Sequence, residues 1–275
     1  MMILLVASSM DIAALNIADK ISQICPFKTT NRIYQENPVY LANINGNQVT
    51  YVTLKKEAVT AQYLADDFPD AELIVFVSRH SSQSGTPTLS VHTPGNFGHA
   101  ELGGLTRQVS VSPAKAMQTA LKTMNRLVQE TKLAYKVSYE CTHHGPSLNV
   151  PTMFVELGSS PLQWGDQKAA AIVAQAALAA ISNFDNAQQS ASMGLGGTHY
   201  NQKFTSLALK DEVIFGHMVP KYAIAQIDDE LLLHCIERTQ EKITSVILDW
   251  KGIKSEDKPK LLAFLEKLPL QIQKV

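Results

Sequence analysis

The chain has 275 residues, 45% of them hydrophobic, enough to bury a substantial core within one domain. Its 24 basic and 25 acidic side chains nearly cancel, which excludes a strong whole-molecule field, so any polyanion must be held by a local patch. Three cysteines (Cys25, Cys141 and Cys235) are too few and too scattered for a disulfide framework or a Cys-x-x-Cys knuckle, and predict a reducing cytoplasm.

The first segment, "MMILLVASS", lacks the basic start of a secretory signal and predicts a buried strand. A helix follows, capped by Ser9, with Ile17, Ile21 and Ile24 on one face. "PVYLANINGNQVTYVTL" predicts a hairpin turning at Asn45-Gly46. "ELIVFVSRH" is a continuous apolar run, as expected of a strand covered on both faces, and "TLSVHTPG" predicts another strand. Ser112-Pro113 opens a helix with Met117, Leu121, Met124 and Leu127 on its buried face. "AYKVSYECT" and "TMFVELGSS" predict strands, and Ser160-Pro161 opens an alanine-rich helix. That helix's apolar stretch, residues 169–181, falls short of the roughly 20 residues needed to span a bilayer and predicts core packing. "ASMGLGGTHY", "VIFGHMVPK" and "ITSVILDWK" are further strands, followed by a helix over 260–268 and an edge strand in "LQIQKV". The alternation predicts a three-layer α/β/α fold with a mixed, largely parallel sheet. One domain over 1–275 is the simplest organisation, with the hairpin and residues 81–108 as excursions.

In such sheets ligands bind beyond the carboxyl ends of the strands. Seven of the eight histidines fall in segments of that kind: His80, His92, His99, His143, His144, His199 and His217. Glu101, Glu140 and Glu156 accompany them, while His234 sits apart in a predicted helix. A single histidine after a strand is commonly just a hydrogen-bonded loop partner. Five separate strand ends each presenting an imidazole, two adding a carboxylate, predict a metal site, for which imidazole and carboxylate are the standard zinc ligands. His143 and His144, if adjacent in an extended segment, would point to opposite faces and do different jobs, unless the strand has already ended and turned. Cys141 beside His143 is a competing nucleophile, although packing is the commoner use of a thiol on a strand. Gly196 and Gly197 either bare the backbone to a substrate or make a tight exit from the sheet. The amides at 160–162 with Ser159 and Ser160 offer an anion seat, helix capping being the simpler use.

The ordered motifs "SRHSS", "HTPGNFG", "ECTHHGP", "VELGSS", "GLGGTHY", "FGHMVPKYA" and "DWKG" resemble the archaeal and plant type of D-aminoacyl-tRNA deacylase. The resemblance implies hydrolysis of the ester between a D-amino acid and the 3′ end of tRNA, and a fold related to peptidyl-tRNA hydrolases and nucleoside phosphorylases. It also implies Zn2+, two ions per chain. Metal ligation then falls to a subset of His80, His92, His143, His144 and His199, with Glu140 or Glu156 as general base or supporting partner beside His143 and His144. A route in which the ribose hydroxyl serves as base and zinc is structural is the alternative. Gly145, Gly196 and Gly197 are candidates for the wall that excludes an L side chain. Arg79, Lys203 and Lys221 suit phosphates, and Tyr200, Tyr222 or Trp250 suit stacking on the terminal adenine. The expected state is a cytoplasmic monomer with no membrane contact. A zinc peptidase or amidohydrolase acting on a small substrate, and a non-catalytic tRNA- or nucleoside-binding protein, are the competing readings.

Overall fold

The computed structural model describes residues 1–185 and 189–275. Its strands form two sheets. The larger is built around β1 (Met2–Ser8), which pairs in parallel with β4 (Asn47–Leu54) on one side and β5 (Ala71–Arg79) on the other. Beyond β5 come β8 (Thr152–Gly158), parallel to it, then β6 (Thr88–His92), antiparallel, and finally β7 (Lys136–Tyr139), parallel to β6. Beyond β4, an antiparallel meander adds β3 (Asn37–Ile44) and β2 (Lys28–Tyr34). The smaller sheet has the order β10-β9-β11-β12 and is parallel throughout: β10 (Phe215–Val219), β9 (Ser190–Leu195), β11 (Lys242–Leu248) and β12 (Gln271–Lys274).

Burial follows from composition. Every residue of β8, "TMFVELG", is buried, as expected of a strand with layers on both faces. On one side of the larger sheet lie α1 (Ile12–Ile24), α3 (Ala114–Thr131) and α5 (Gln167–Ser182). Ala169, Ala170, Ala174, Ala176 and Ala177 are fully buried, and these short side chains let α5 pack against both α1 and α3. Met117, Leu121 and Met124 of α3 are likewise fully buried. The opposite face is covered more thinly, by α2 (Leu64–Asp67) and the loop before it, over Val6, Val52 and Phe76. The smaller sheet carries α6 (Gln202–Leu209) on the α3 side and α7 (Asp229–Glu237) with α8 (Lys258–Leu265) on the other. The core of α1, α3 and α5 continues through Phe204, Phe215, Met218 and Ile247, so one apolar body spans the seam between the sheets. Among the described residues no helix is long and apolar enough to cross a membrane.

Several local expectations need correction. The cap of α1 is Asp11 rather than Ser9: its carboxylate accepts the Ala14 amide at 3.0 Å. Ile17 and Ile21 are buried, whereas Ile24, in the last turn, is exposed. Ser160-Pro161 opens only a single turn, α4 (Pro161–Trp164), and the alanine-rich helix starts afresh at Asp166, whose carboxylate accepts the amides of Lys168 and Ala169. The start of α3 is capped from a distance, Glu241 taking the amides of Ala114 and Lys115 at 2.9 and 2.8 Å. The hairpin and "TLSVH" belong to the sheet, and β2 was not foreseen, because its polar sequence "KTTNRIY" gives no apolar alternation.

Asp11 also accepts the Arg79 amide at 2.7 Å, tying the start of α1 to the end of β5. Replacing it by alanine removes a cap and leaves a half-buried amide unpaired. Asp11→Ala is expected to lose about 1–3 kcal/mol in urea denaturation.

Candidate active site

The seam between the two sheets is where strand ends meet. β5 delivers Arg79 and then His80, β6 ends on His92, and the chain after β7 supplies Glu140 to Gly145. β8 places Glu156 opposite Ser78 of β5 and Ser90 of β6. From the smaller sheet, the loop after β9 brings His199 and Tyr200, pinned by the Cys141 amide on the His199 carbonyl at 2.9 Å. The Thr142 amide bonds the Met218 carbonyl at 2.9 Å, so the segment after β7 is stitched to both neighbours of the seam. Loops held by backbone bonds of this kind hold side chains in place.

Five imidazoles converge there. His143 has ring centroids 4.2 Å from His92, 4.3 Å from His144 and 4.5 Å from His199. His92 stacks on Phe154, while His80 contacts Tyr200 edge-on and bonds its hydroxyl through a short Nε2 contact. Of the two cases open for His143 and His144, the structure shows the one in which the strand has already turned. His144 adopts φ 44°, a left-handed turn, so the strand has ended and both rings enter the same cluster.

The hydrogen bonds decide which nitrogens are free. His143 Nδ1 lies 2.8 Å from the Cys141 carbonyl and His144 Nδ1 2.7 Å from the Gly145 carbonyl. A carbonyl only accepts, so both Nδ1 atoms carry the proton and both Nε2 atoms keep a lone pair. His92 Nε2 faces His144 Nε2 at 3.2 Å, and His92 Nδ1 is buried with no hydrogen-bond partner. Burial, reinforced by the neighbouring imidazoles, drives His92 and His143 well below the usual histidine range and His144 to about 4, so all three are neutral near pH 7.

Glu140 is the charge at the centre. It is fully buried, with Oε2 2.8 Å from His199 Nε2 and 3.6 Å from His143 Nε2. Its Oε1 lies 3.1 Å from His80 Nδ1, close enough for attraction but not aligned as a hydrogen bond. Burial would raise this carboxyl, but His199 and His80 outweigh it and hold Glu140 ionised. Reciprocally, burial would lower the two imidazoles, yet Glu140 and Glu156 lift His80 to about 11, and Cys141 and Glu140 lift His199 to about 10. Glu156 goes the other way: burial, with Glu140 nearby, raises it from its ordinary value, and Ser78 donates to its Oε1 at 2.6 Å. Two carboxylates thus hold opposite protonation tendencies side by side.

Among the described residues, three donor sets with ligand atoms within 4.8 Å of one another suit a metal ion: His92–His143–His144, Cys141–His143–His199 and His80–Glu140–Glu156. The unpartnered His92 Nδ1 and Glu140 Oε1, and the lone pairs fixed on His143 and His144, fit such an ion. The first two sets share His143, whose single free nitrogen serves one ion, whereas the first and third share no residue.

Two cavities flank the imidazoles, of about 400 and about 510 Å3, sharing Leu102, His143, His144 and His199 as a common wall. Tyr222 lines the smaller, its hydroxyl 3.3 Å from His199 Nδ1 and 3.4 Å from Cys141 Sγ. Cys141 itself is buried and lines neither, its Sγ 3.3 Å from His199 Nδ1. Arg79 lines the larger, pairs with Glu57 at 2.7 Å and lies over Trp164. His99 and Glu101 line the smaller as exposed side chains. His217 stays apart, between Thr142 and the Arg238 carbonyl, both at 3.0 Å.

Other expected residues lie outside both cavities. The Ser159 hydroxyl donates to the Thr86 carbonyl and that of Ser160 to Gln163. Lys221 is exposed, Lys203 pairs with Asp249, and the Trp250 ring is faced by the ammonium groups of Lys258 and Lys274 at 4.5 and 4.0 Å. The glycines meet protein rather than open space. A β-carbon at Gly196 would stand 2.9 Å from the Asp249 carbonyl oxygen, and one at Gly197 would stand 2.2 Å from Asn201. One at Gly145 would stand 2.1 Å from the Gly104 nitrogen. Asp11, Phe97, Leu102 and Phe154 were missed, since nothing local distinguishes them from core or loop residues.

Fold and site together define an α/β protein with a buried imidazole–carboxylate centre at its strand ends, suited to metal-assisted hydrolysis. Residues 67–273 match the model of the D-aminoacyl-tRNA deacylase family, and the chain belongs to that family. It is similar to the D-aminoacyl-tRNA deacylases of Thermococcus kodakarensis (37% identity over 270 residues, 96% of each chain) and Pyrococcus abyssi (34% over 276 residues, 98% of each). A crystal structure described as a conserved protein of unknown function superposes with TM-score 0.88 at 28% identity, covering 99% of this chain and 95% of its own.

Because the backbones of Gly103 and Gly104 press on Gly145, an added methyl group has nowhere to go. Gly145→Ala is expected to cost about 1–3 kcal/mol in thermal or urea melting, and to weaken metal uptake by displacing His144.

Proposed function

We propose that this protein hydrolyses the ester of D-aminoacyl-tRNA, releasing the free D-amino acid and tRNA. The observation that carries the reading is the pair of imidazole lone pairs fixed on Nε2 of His143 and His144, beside two buried carboxylates whose proton affinities are shifted in opposite directions. Family membership supports the substrate class over a peptidase or a non-catalytic binder.

The metal assignment is Zn2+, held by His92, His143 and His144; His80, Glu140 and Glu156 would seat a second ion once His80 has given up its proton. A bound zinc ion supplies Lewis-acid polarisation of the ester carbonyl. The remaining roles fall to the chain. An aminoacyl ester already has a good leaving group, so the site must position water and stabilise an oxyanion rather than provide a strong covalent nucleophile. Glu156 takes the proton of the attacking water, burial having raised its affinity for one. Where an ion occupies its carboxylate, the vicinal ribose hydroxyl is the alternative base. Glu140 holds His199 protonated, and His199 with Tyr222 donates to the departing ribose oxygen. Tyr200 fixes His80 against the two carboxylates. The same reading takes 1–275 as one deacylase domain, acting as a cytoplasmic monomer.

The test is a deacylation assay with matched D- and L-aminoacyl-tRNA, with and without chelator, alongside bound-zinc analysis of His143→Ala and His144→Ala. D-substrate is expected to be hydrolysed in preference to L, and each variant to lose zinc together with about 100-fold or more in rate. Zinc loss without rate loss would remove the metal from catalysis, and absence of any D preference would overturn the reading.

A further inference from the structure

The two cavities that meet at the imidazole wall differ in their chemistry. The smaller presents aromatic side chains, Phe97 and Tyr222, the backbone of the "GNFG" loop, and the carboxamide of Gln226. Its one carboxylate, Glu101, is exposed to solvent. A β-carbon at Gly98 would stand 3.1 Å from Gln226 Oε1, so the carboxamide lies directly over bare backbone. Uncharged planar faces with amide groups at their edge are what a nucleobase requires. The larger cavity is different. Asp11, Glu57 and Glu156 line it against the guanidinium of Arg79 and the imidazole of His80, and Ala58, Val59 and Phe154 supply apolar surface.

We infer that the smaller cavity takes the terminal adenosine of tRNA and the larger takes the D-aminoacyl group, the scissile ester lying across His143, His144 and His199 between them. The inference rests on the deacylase reading and adds the direction in which the substrate lies. The α-ammonium of an aminoacyl ester is a cation and finds more than one carboxylate only on the larger side, where Glu57 is shared with Arg79, Asp11 is bonded to two amides and Glu156 stands beside His80. The reverse placement would bring the phosphates that follow the adenosine over Asp11 and Glu57, where like charges repel. With adenosine, ester and ammonium each held, the hand of the α-carbon alone decides whether the side chain enters the space beside Val59 and Phe154. Stereochemical choice therefore comes from three fixed points, and none of Gly145, Gly196 or Gly197 is needed as a wall.

The test uses the full-length protein and two substitutions, one confined to each cavity. Gln226→Ala is expected to weaken inhibition by adenosine 5′-monophosphate about fivefold, leaving the D-tyrosyl to D-alanyl ratio of kcat/KM unchanged. Val59→Trp is expected to lower that ratio about tenfold while adenosine monophosphate inhibits as in the wild type. Should Val59→Trp fail to fold by thermal melting, Glu57→Gln replaces it. That variant is expected to raise KM for the free-amine ester but not for its N-acetylated form. Exchange of the two patterns, or both substitutions moving both readouts, would overturn the assignment. Calorimetric binding of adenosine monophosphate separates the two hypotheses. A protein that hydrolyses no D-aminoacyl-tRNA, yet binds the nucleotide in a way weakened by Gln226→Ala alone, would sink the deacylase reading and keep the adenosine cavity. An active deacylase whose nucleotide binding ignores Gln226 would sink the cavity assignment only.

Discussion

The hydrogen bonds from His143 and His144 to the carbonyls of Cys141 and Gly145, 2.8 and 2.7 Å long, set what every other group in the site can do. An imidazole free to choose its tautomer offers either nitrogen. One whose Nδ1 proton is committed to backbone offers only Nε2 as an acceptor, in a direction the backbone fixes. The fold maintains this commitment. The 140–145 segment is tied to the loop after β9 and to β10 on one side and to the "HTPGN" loop on the other, where the Gly95 amide bonds the His143 carbonyl at 3.1 Å. Gly103 and Gly104 press against Gly145 and leave the His144 turn no room to relax.

Around this fixed pair the electrostatics divide. One buried anion, Glu140, is shared by His80 and His199 and keeps both charged, while His92, His143 and His144 are stripped of their protons by burial. A site that holds neutral ligands and charged donors a few ångströms apart can bind a cation and stabilise a departing oxygen together. Separate neutral and charged imidazoles require one carboxylate placed asymmetrically, and the antiparallel bridge between Glu140 and Tyr200 at the seam of the sheets supplies that placement.

Much of this was legible in the sequence, for a physical reason. Buried strands such as "ELIVFVSRH" and "TMFVELG" announce themselves by composition, and their ends are where α/β sheets collect chemistry, so His80, His92, His143, His144 and His199 could be grouped before any coordinates. What escaped depends on geometry the local sequence does not encode. The left-handed turn at His144, one of two cases left open, overrode the strand alternation that would have sent its ring away from His143. The distant caps, Asp11 to Arg79 and Glu241 to α3, link residues far apart in the chain. Gly196 and Gly197 suggested bare backbone for a substrate, yet their free sides are filled by Asp249 and Asn201, because a glycine can admit the protein's own chain as readily as a ligand. The two-cavity arrangement was invisible for a similar reason, since Val59, Leu102 and Phe154 read as ordinary core or loop residues.

The most direct measurement is the tautomeric state of the histidines by 15N NMR of the imidazole rings in metal-free protein near pH 7. His143 and His144 should each appear neutral with the proton on Nδ1 and Nε2 unprotonated. Resonances showing either ring protonated on Nε2 would contradict the account, because the nitrogen assigned to a metal would then be a donor rather than a lone pair.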